Sequence, residues 1–298
     1  MFFWKNNFNS YNRREEGPSY TPYVKGFSDA SSTGLAAHIC IGGEDKVVYK
    51  NFSKEEAAKS STWRELHAIY FSMLSLKNDL AYKTVRWHTD NYAASCIFES
   101  GSNIIELQIL SEKVFEVCKS SKIKISVKWV PRECIPRADA LSKTIDYDDW
   151  ETTAPFFAYL NNLWGPFTID RFADSNNAKV QRFNSKFMCP GTEGVDAFLS
   201  TWKNENNFLV PPVYLAGKVL RHMQYYGTKG VLVVPYWVSA TFWVHILESK
   251  NVFKGCVKDV LVFEDCKTCI AQGKNKSCFI GSDSFKSLIL ALKLEFSL

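Results

Sequence analysis

Residues 21–60 read as three short strands divided by turn signals; beyond them, helical spacing and strand alternation take turns. That succession constrains the fold more than any other feature of the chain. Strands are expected around 23–29, 34–41 and 46–52, with Gly34 and GGED (42–45) marking the turns. KSSTWRELHAIYFSMLSL reads as a helix: Ser61 or Thr62 can cap it, and Leu66, Ile69, Tyr70 and Met73 recur at helical spacing. KTVRWHTDN is expected as a strand, YAASCIFES and IIELQILSEKVFEVCKSS as helices, KIKISVKWV as a strand, and PRADALSK as the start of a short helix. Hairpins first and crossovers afterwards predict a mixed five-stranded α/β sheet.

The pattern divides the chain. Residues 1–20, rich in Asn, Ser, Arg and Glu, are expected as a flexible arm, and 21–145 as the first domain. The acidic, polar stretch TIDYDDWETTAPFF suggests a linker, drawn at 146–165. In 166–298, GPFTIDRFADSNNAKV, NNFLVPPVY and GVLVVPYW each hold a short apolar strand ending in a turn, and LAGKVLRHMQYY is a helix. This reads as a second α/β domain with a parallel sheet.

Composition excludes some classes. With 46% hydrophobic and 15% aromatic residues the chain can fill real cores, so wholesale disorder is excluded. A net charge of +5 permits nucleic-acid binding without arguing for it. Nine cysteines without a framework, after an opening that turns polar too soon for a signal peptide, fit reduced thiols in an intracellular protein of cytoplasm or nucleus. CKTC (266–269) with Cys278 is half a zinc pattern that no second pair completes. The uncharged run 231–247 contains Pro235 and His245 and reads as a buried strand plus a loop or helix, not a membrane span.

Four acids then stand out. Asp29 ends the first strand, Glu65 lies early in the first helix, Asp90 ends the fourth strand, and Asp139 opens the helix after the fifth. If the first and fourth strands are neighbours, the strand-end acids sit side by side and the helices bring in the others. Carboxylates gathered so closely repel one another and are stable around cations. Two magnesium ions held by shared carboxylates suit in-line phosphodiester cleavage. The plainer reading makes each acid a solvated strand end or helix cap, but four of them in these positions and this order favour the metal site.

On FSDASSTGLAA, WRELHAI, HTDNYAA and PRADALSK, residues 21–145 resemble the ribonuclease H domain of retroelement polyproteins, and VPRECIPRADALSK looks most like the version in DIRS-like tyrosine-recombinase retrotransposons. The resemblance implies a ribonuclease H-like fold, with Asp29, Glu65, Asp90 and Asp139 as catalytic ligands of two Mg2+ or Mn2+ ions. It implies the RNA strand of an RNA–DNA hybrid as substrate, read by shape and 2′-hydroxyls, with a reverse transcriptase either supplied by another chain or lost. Lys119, Lys122, Lys124, Lys128, Arg132 and Arg137 are either phosphate contacts or the solvated face of an edge strand. Two family features are missing: 125–138 contain no histidine, and Ile135 stands where an asparagine is common. His88 is expected to be structural.

TIDRFADSNNAKVQRF, GVDAFLSTW, NNFLVPPVY and GVLVVPYW look like the phage-type DNA adenine methyltransferase family, which implies a Rossmann-like methyltransferase-type α/β domain. By that resemblance Asp170 and Asp196 correspond to acids near an S-adenosylmethionine site. The Pro-Pro-aromatic motif, however, reads Val210-Pro211-Pro212-Val213. Valine offers no side-chain acceptor for an adenine amino group and no ring to stack on a flipped base. A degenerate domain kept for structure or nucleic-acid contact is therefore expected. The alternatives to a hybrid-cleaving enzyme are a non-catalytic nucleic-acid-binding protein and a methyltransferase with an altered motif.

Overall fold

A computed structural model describes residues 23–250, 252–274 and 276–297. The expected arm at 1–20 lies outside the described residues. The chain divides into two compact units, one of residues up to Lys50 with Glu55–Lys143, the other of Asn51–Lys54 with Thr144–Leu298.

In the first unit β1 (Val24–Ala30), β2 (Gly34–Ile41) and β3 (Glu44–Asn51) come in sequence, the last two joined by Gly42 and Gly43. Both glycines have positive φ (60° and 87°), which a two-residue hairpin turn requires. A short helix α1 (Lys54–Ala57), α2 (Ser61–Ser75), β4 (Thr84–Thr89), α3 (Tyr92–Ser100), α4 (Ile105–Ser120), β5 (Lys124–Trp129) and α5 (Pro136–Ser142) follow. The sheet order is β3-β2-β1-β4-β5, with β1 antiparallel to β2 and parallel to β4, and β4 parallel to β5. Ser60, one residue before the expected cap, holds the start of α2 by accepting the Trp63 N–H.

Parallel pairing of β1 and β4 brings their C-terminal ends to one edge of the sheet, where α2 and α5 cross β1 and β2. Trp87 of β4 is fully buried and donates its indole N–H to Ser28 Oγ at 2.9 Å. Its ring packs against Gly26, where a Cβ would meet it at 2.3 Å. Leu35, Ile39, Leu66, Ile69 and Met73 complete the core without exposure.

The second unit holds β6 (Trp150–Thr152), α6 (Ala154–Trp164), β7 (Ile169–Asp170), β8 (Asn184–Ser185), β9 (Gly194–Val195), β10 (Asn206–Leu209), α7 (Ala216–Tyr226), β11 (Lys229–Pro235), α8 (Trp243–Ile246), β12 (Leu247–Ser249), β13 (Val252–Phe253), β14 (Val257–Phe263), α9 (Cys266–Cys269), β15 (Ile270–Gln272) and β16 (Ile289–Glu295). Its main sheet runs β14-β16-β11-β10-β7. The expected parallel order holds for β7, β10 and β11, but β16 pairs antiparallel with both β11 and β14, so the sheet is mixed.

Alternation along β10, β11 and β16 splits the core into two layers. Phe208, Val231, Val233, Ile289 and Ala291 face α6, while Leu209, Leu232, Val234, Leu290 and Leu292 face α7. The stretch 146–165, expected as a linker, carries β6 and α6, and Phe156, Leu160 and Trp164 are buried in the first layer. The run 231–247 forms β11, a loop and α8, and no helix among the described residues is long and apolar enough to cross a membrane.

Candidate metal centre

Asp29, Glu65 and Asp90 converge. Each offers a carboxylate oxygen, and the three oxygens lie within 4.8 Å of one another. They are the one grouping of three or more metal-competent side chains found among the described residues. Asp29 sits one residue before the end of β1, Asp90 one residue beyond β4, and Glu65 on the second turn of α2.

Hydrogen bonds hold both Glu65 oxygens and one oxygen of Asp29. Glu65 is 4% exposed; its Oε1 accepts the Ala30 N–H at 3.0 Å and its Oε2 the Thr89 hydroxyl at 3.2 Å. Asp29 is buried, and its Oδ2 accepts the Ser142 hydroxyl at 2.5 Å. The backbone carbonyl of Asp90 accepts the Trp129 indole N–H at 3.0 Å. Burial, and then the charges of Asp29 and Asp90, push the Glu65 carboxyl up to about 8. Burial and Asp29 also raise Asp90.

Asp139 stands apart from that grouping but is tied to it through a cation. Lys143, one helical turn on, reaches its Oδ2 at 2.6 Å, and Arg132 Nε reaches its Oδ1 at 2.7 Å. Hydrogen bonds, first from Lys143 and then from Arg132, hold its carboxyl below the usual range against some opposing burial. The same guanidinium lies 3.7 Å from Asp29 Oδ1 and 3.8 Å from Asp90 Oδ2.

Of the other basic residues named from sequence, Arg137 pairs with Asp45 and Lys128 with Glu99 at 3.2 Å. His88 hydrogen-bonds the Gly26 carbonyl at 3.0 Å and stacks on Phe27, a structural placement. Ser142, Thr89 and Lys143 belong to the site although sequence reasoning did not name them. A serine three residues after Asp139 and a lysine four after it on a helix were the available signal for two of them.

The donor set suits a hard divalent cation: carboxylate oxygens only, held by hydrogen bonds that leave other lone pairs free. The zinc half-pattern does not develop. Cys266, Cys269 and Cys278 are buried in the apolar layer under α6, and burial pushes the Cys278 thiol up to about 11.

In the second unit Asp170 is buried at the end of β7, accepting the Lys179 N–H at 3.2 Å and the Phe172 N–H at 3.4 Å; burial lifts its carboxyl to about 6. It lines a cleft with Glu151, Lys179, Phe208 and Val210. A Lys179–Glu151 ion pair of 2.6 Å joins two residues of this cleft's wall. Asp196 is exposed and caps the turn Ala197–Leu199 by accepting the Phe198 N–H. At the Pro-Pro motif Val210 is buried and supplies no side-chain acceptor for a target base, and the neighbouring Tyr214 is exposed.

Residues 140–250 match the family described as DNA N-6-adenine-methyltransferase (Dam). The chain thus has a mixed five-stranded sheet of order β3-β2-β1-β4-β5, followed by a region that matches the Dam family. Among solved structures, RNase H1 from the halophilic archaeon Halobacterium salinarum NRC-1 is 16% identical over 40% of this chain and 94% of its own, with a TM-score of 0.33. LC11-RNase H1 in complex with an RNA/DNA hybrid is 14% identical over 40% of this chain and 92% of its own, with a TM-score of 0.30. The foamy viral protease-reverse transcriptase in complex with an RNA/DNA hybrid is 11% identical over 45% of this chain and 22% of its own, with a TM-score of 0.34. No curated protein matches the chain.

Proposed function

We propose that the first unit is a retroelement-type, metal-dependent endonuclease that cleaves the RNA strand of RNA–DNA hybrids. The carrying observation is the convergence of Asp29, Glu65 and Asp90 from three separate elements to within 4.8 Å. Asp29, Glu65, Asp90 and Asp139 would hold two Mg2+ or Mn2+ ions, which when bound activate water and stabilise the leaving oxygen of an in-line displacement.

The chain's own residues set the geometry. Ser142 and Thr89 fix the inner oxygens, so the carboxylates are oriented before any ion arrives. Arg132 and Lys143 hold Asp139 at the rim. The Dam-type half acts in this reading as a scaffold or a nucleic-acid contact without methyl transfer.

The test is cleavage of an end-labelled RNA–DNA hybrid in Mg2+ or Mn2+, with Asp90→Asn alongside. RNA cutting by the wild type alone is expected. A folded wild type that binds the hybrid without cutting it would favour a non-catalytic nucleic-acid-binding protein.

A further inference from the structure

Arg132 is unusual in its company. Its guanidinium faces three of the four acids at once, hydrogen-bonded to Asp139 and within 3.8 Å of oxygens of Asp29 and Asp90. Asp29 and Asp90 are two of the three carboxylates grouped within 4.8 Å. The side chain is nevertheless 58% exposed. It springs from a single turn, Arg132–Cys134, in the loop between β5 and α5, with Pro131 before it and Pro136 after it. A long, solvated side chain on such a loop can leave the acids without unpacking any core.

On the metal-centre reading, we propose that Arg132 is a built-in counter-cation that competes with divalent metal for Asp29, Asp90 and Asp139. Without metal it offsets the mutual repulsion of the acids. Metal loading requires it to withdraw, so Arg132 sets the metal concentration at which the site fills. It acts through the carboxylates and is therefore a positioning residue.

The test is Mn2+ binding by calorimetry and Mn2+-dependent thermal midpoints on the full chain, for the wild type, Arg132→Ala, Arg132→Lys and Arg137→Ala. Arg137 lies on the neighbouring helix and pairs with Asp45 instead of the site acids, so it controls for net charge. Arg132→Ala is expected to bind Mn2+ about tenfold more tightly, equivalent to about 1.4 kcal/mol. Its midpoint should fall without metal and recover with it, while Arg132→Lys and Arg137→Ala stay near the wild type. Equal or weaker binding by a folded Arg132→Ala overturns the competition, as does an equal gain in Arg137→Ala. If the wild type binds no Mn2+, the metal-centre reading falls and this inference falls with it; if it binds and Arg132→Ala is no tighter, only the inference falls.

Discussion

Neutralising Glu65 should stabilise the metal-free protein and abolish its response to metal. Its carboxyl is buried, faces Asp29 and Asp90, and is pushed from an ordinary 4.5 to about 8. A folded pKa above the unfolded one contributes stability that is full below pH 4.5 and is lost as the pH rises through 8. At ~1.4 kcal/mol per pH unit, about 3 kcal/mol has gone by pH 7. Glu65→Gln removes that loss. Glutamine can still accept the Ala30 N–H and can turn its amide toward Thr89, so about 1 kcal/mol of hydrogen bonding is the offset. The net gain is about 2 kcal/mol, or roughly 4–16 °C in melting temperature for a unit of this size. Thermal melts at pH 7 in chelator and then in Mn2+ read both effects. A variant no more stable than the wild type in chelator, or equally stabilised by Mn2+, would refute the reasoning.

Other substitutions test the supporting structure. Gly26→Ala should destabilise the first unit by about 1–3 kcal/mol in urea unfolding, because its Cβ would sit 2.3 Å from the Trp87 ring. Asn207→Ala should lower the stability of the second unit by about 3 kcal/mol. Asn207 is fully buried, donates to the Lys229 carbonyl at 2.8 Å and accepts from Arg171 Nε at 2.8 Å, so its loss leaves a buried guanidinium short of an acceptor. Asp170, lifted by burial to about 6, contributes stability that is full below pH 3.8 and is lost as the pH rises through 6. The loss is about 3 kcal/mol at ~1.4 kcal/mol per pH unit. Denaturant midpoints of the wild type should therefore fall across that window more than those of Asp170→Asn.

The first unit was legible because its short strands are set off by glycines at the turns and its helices repeat apolar residues at helical spacing. Asp29 and Asp90 were visible as acids where apolar runs stop, and parallel pairing then brings those strand ends together. Arg132 was visible as a basic residue, but its approach to three acids depends on the path of a loop whose local pattern carries no signal for it. The linker expected at 146–165 failed for a definable reason. The acids before Ala154 dominate the composition, while the burial of α6 rests on Phe156, Leu160 and Trp164 alone. β16 was hidden because ILALKLE, buried on both faces, is a short apolar run that periodicity does not assign to strand or helix. Without it the second sheet read as parallel. Val210 and Val213 spoke against methyl transfer in the sequence; the Lys179–Glu151 pair beside Asp170 emerged from the tertiary structure.

Anomalous scattering from a crystal soaked in Mn2+ reads directly whether Asp29, Glu65 and Asp90 form a metal centre. An anomalous peak is expected between these three carboxylates, with the Arg132 guanidinium displaced toward solvent. No peak there, with Arg132 still against Asp29 and Asp90 at saturating Mn2+, would contradict it.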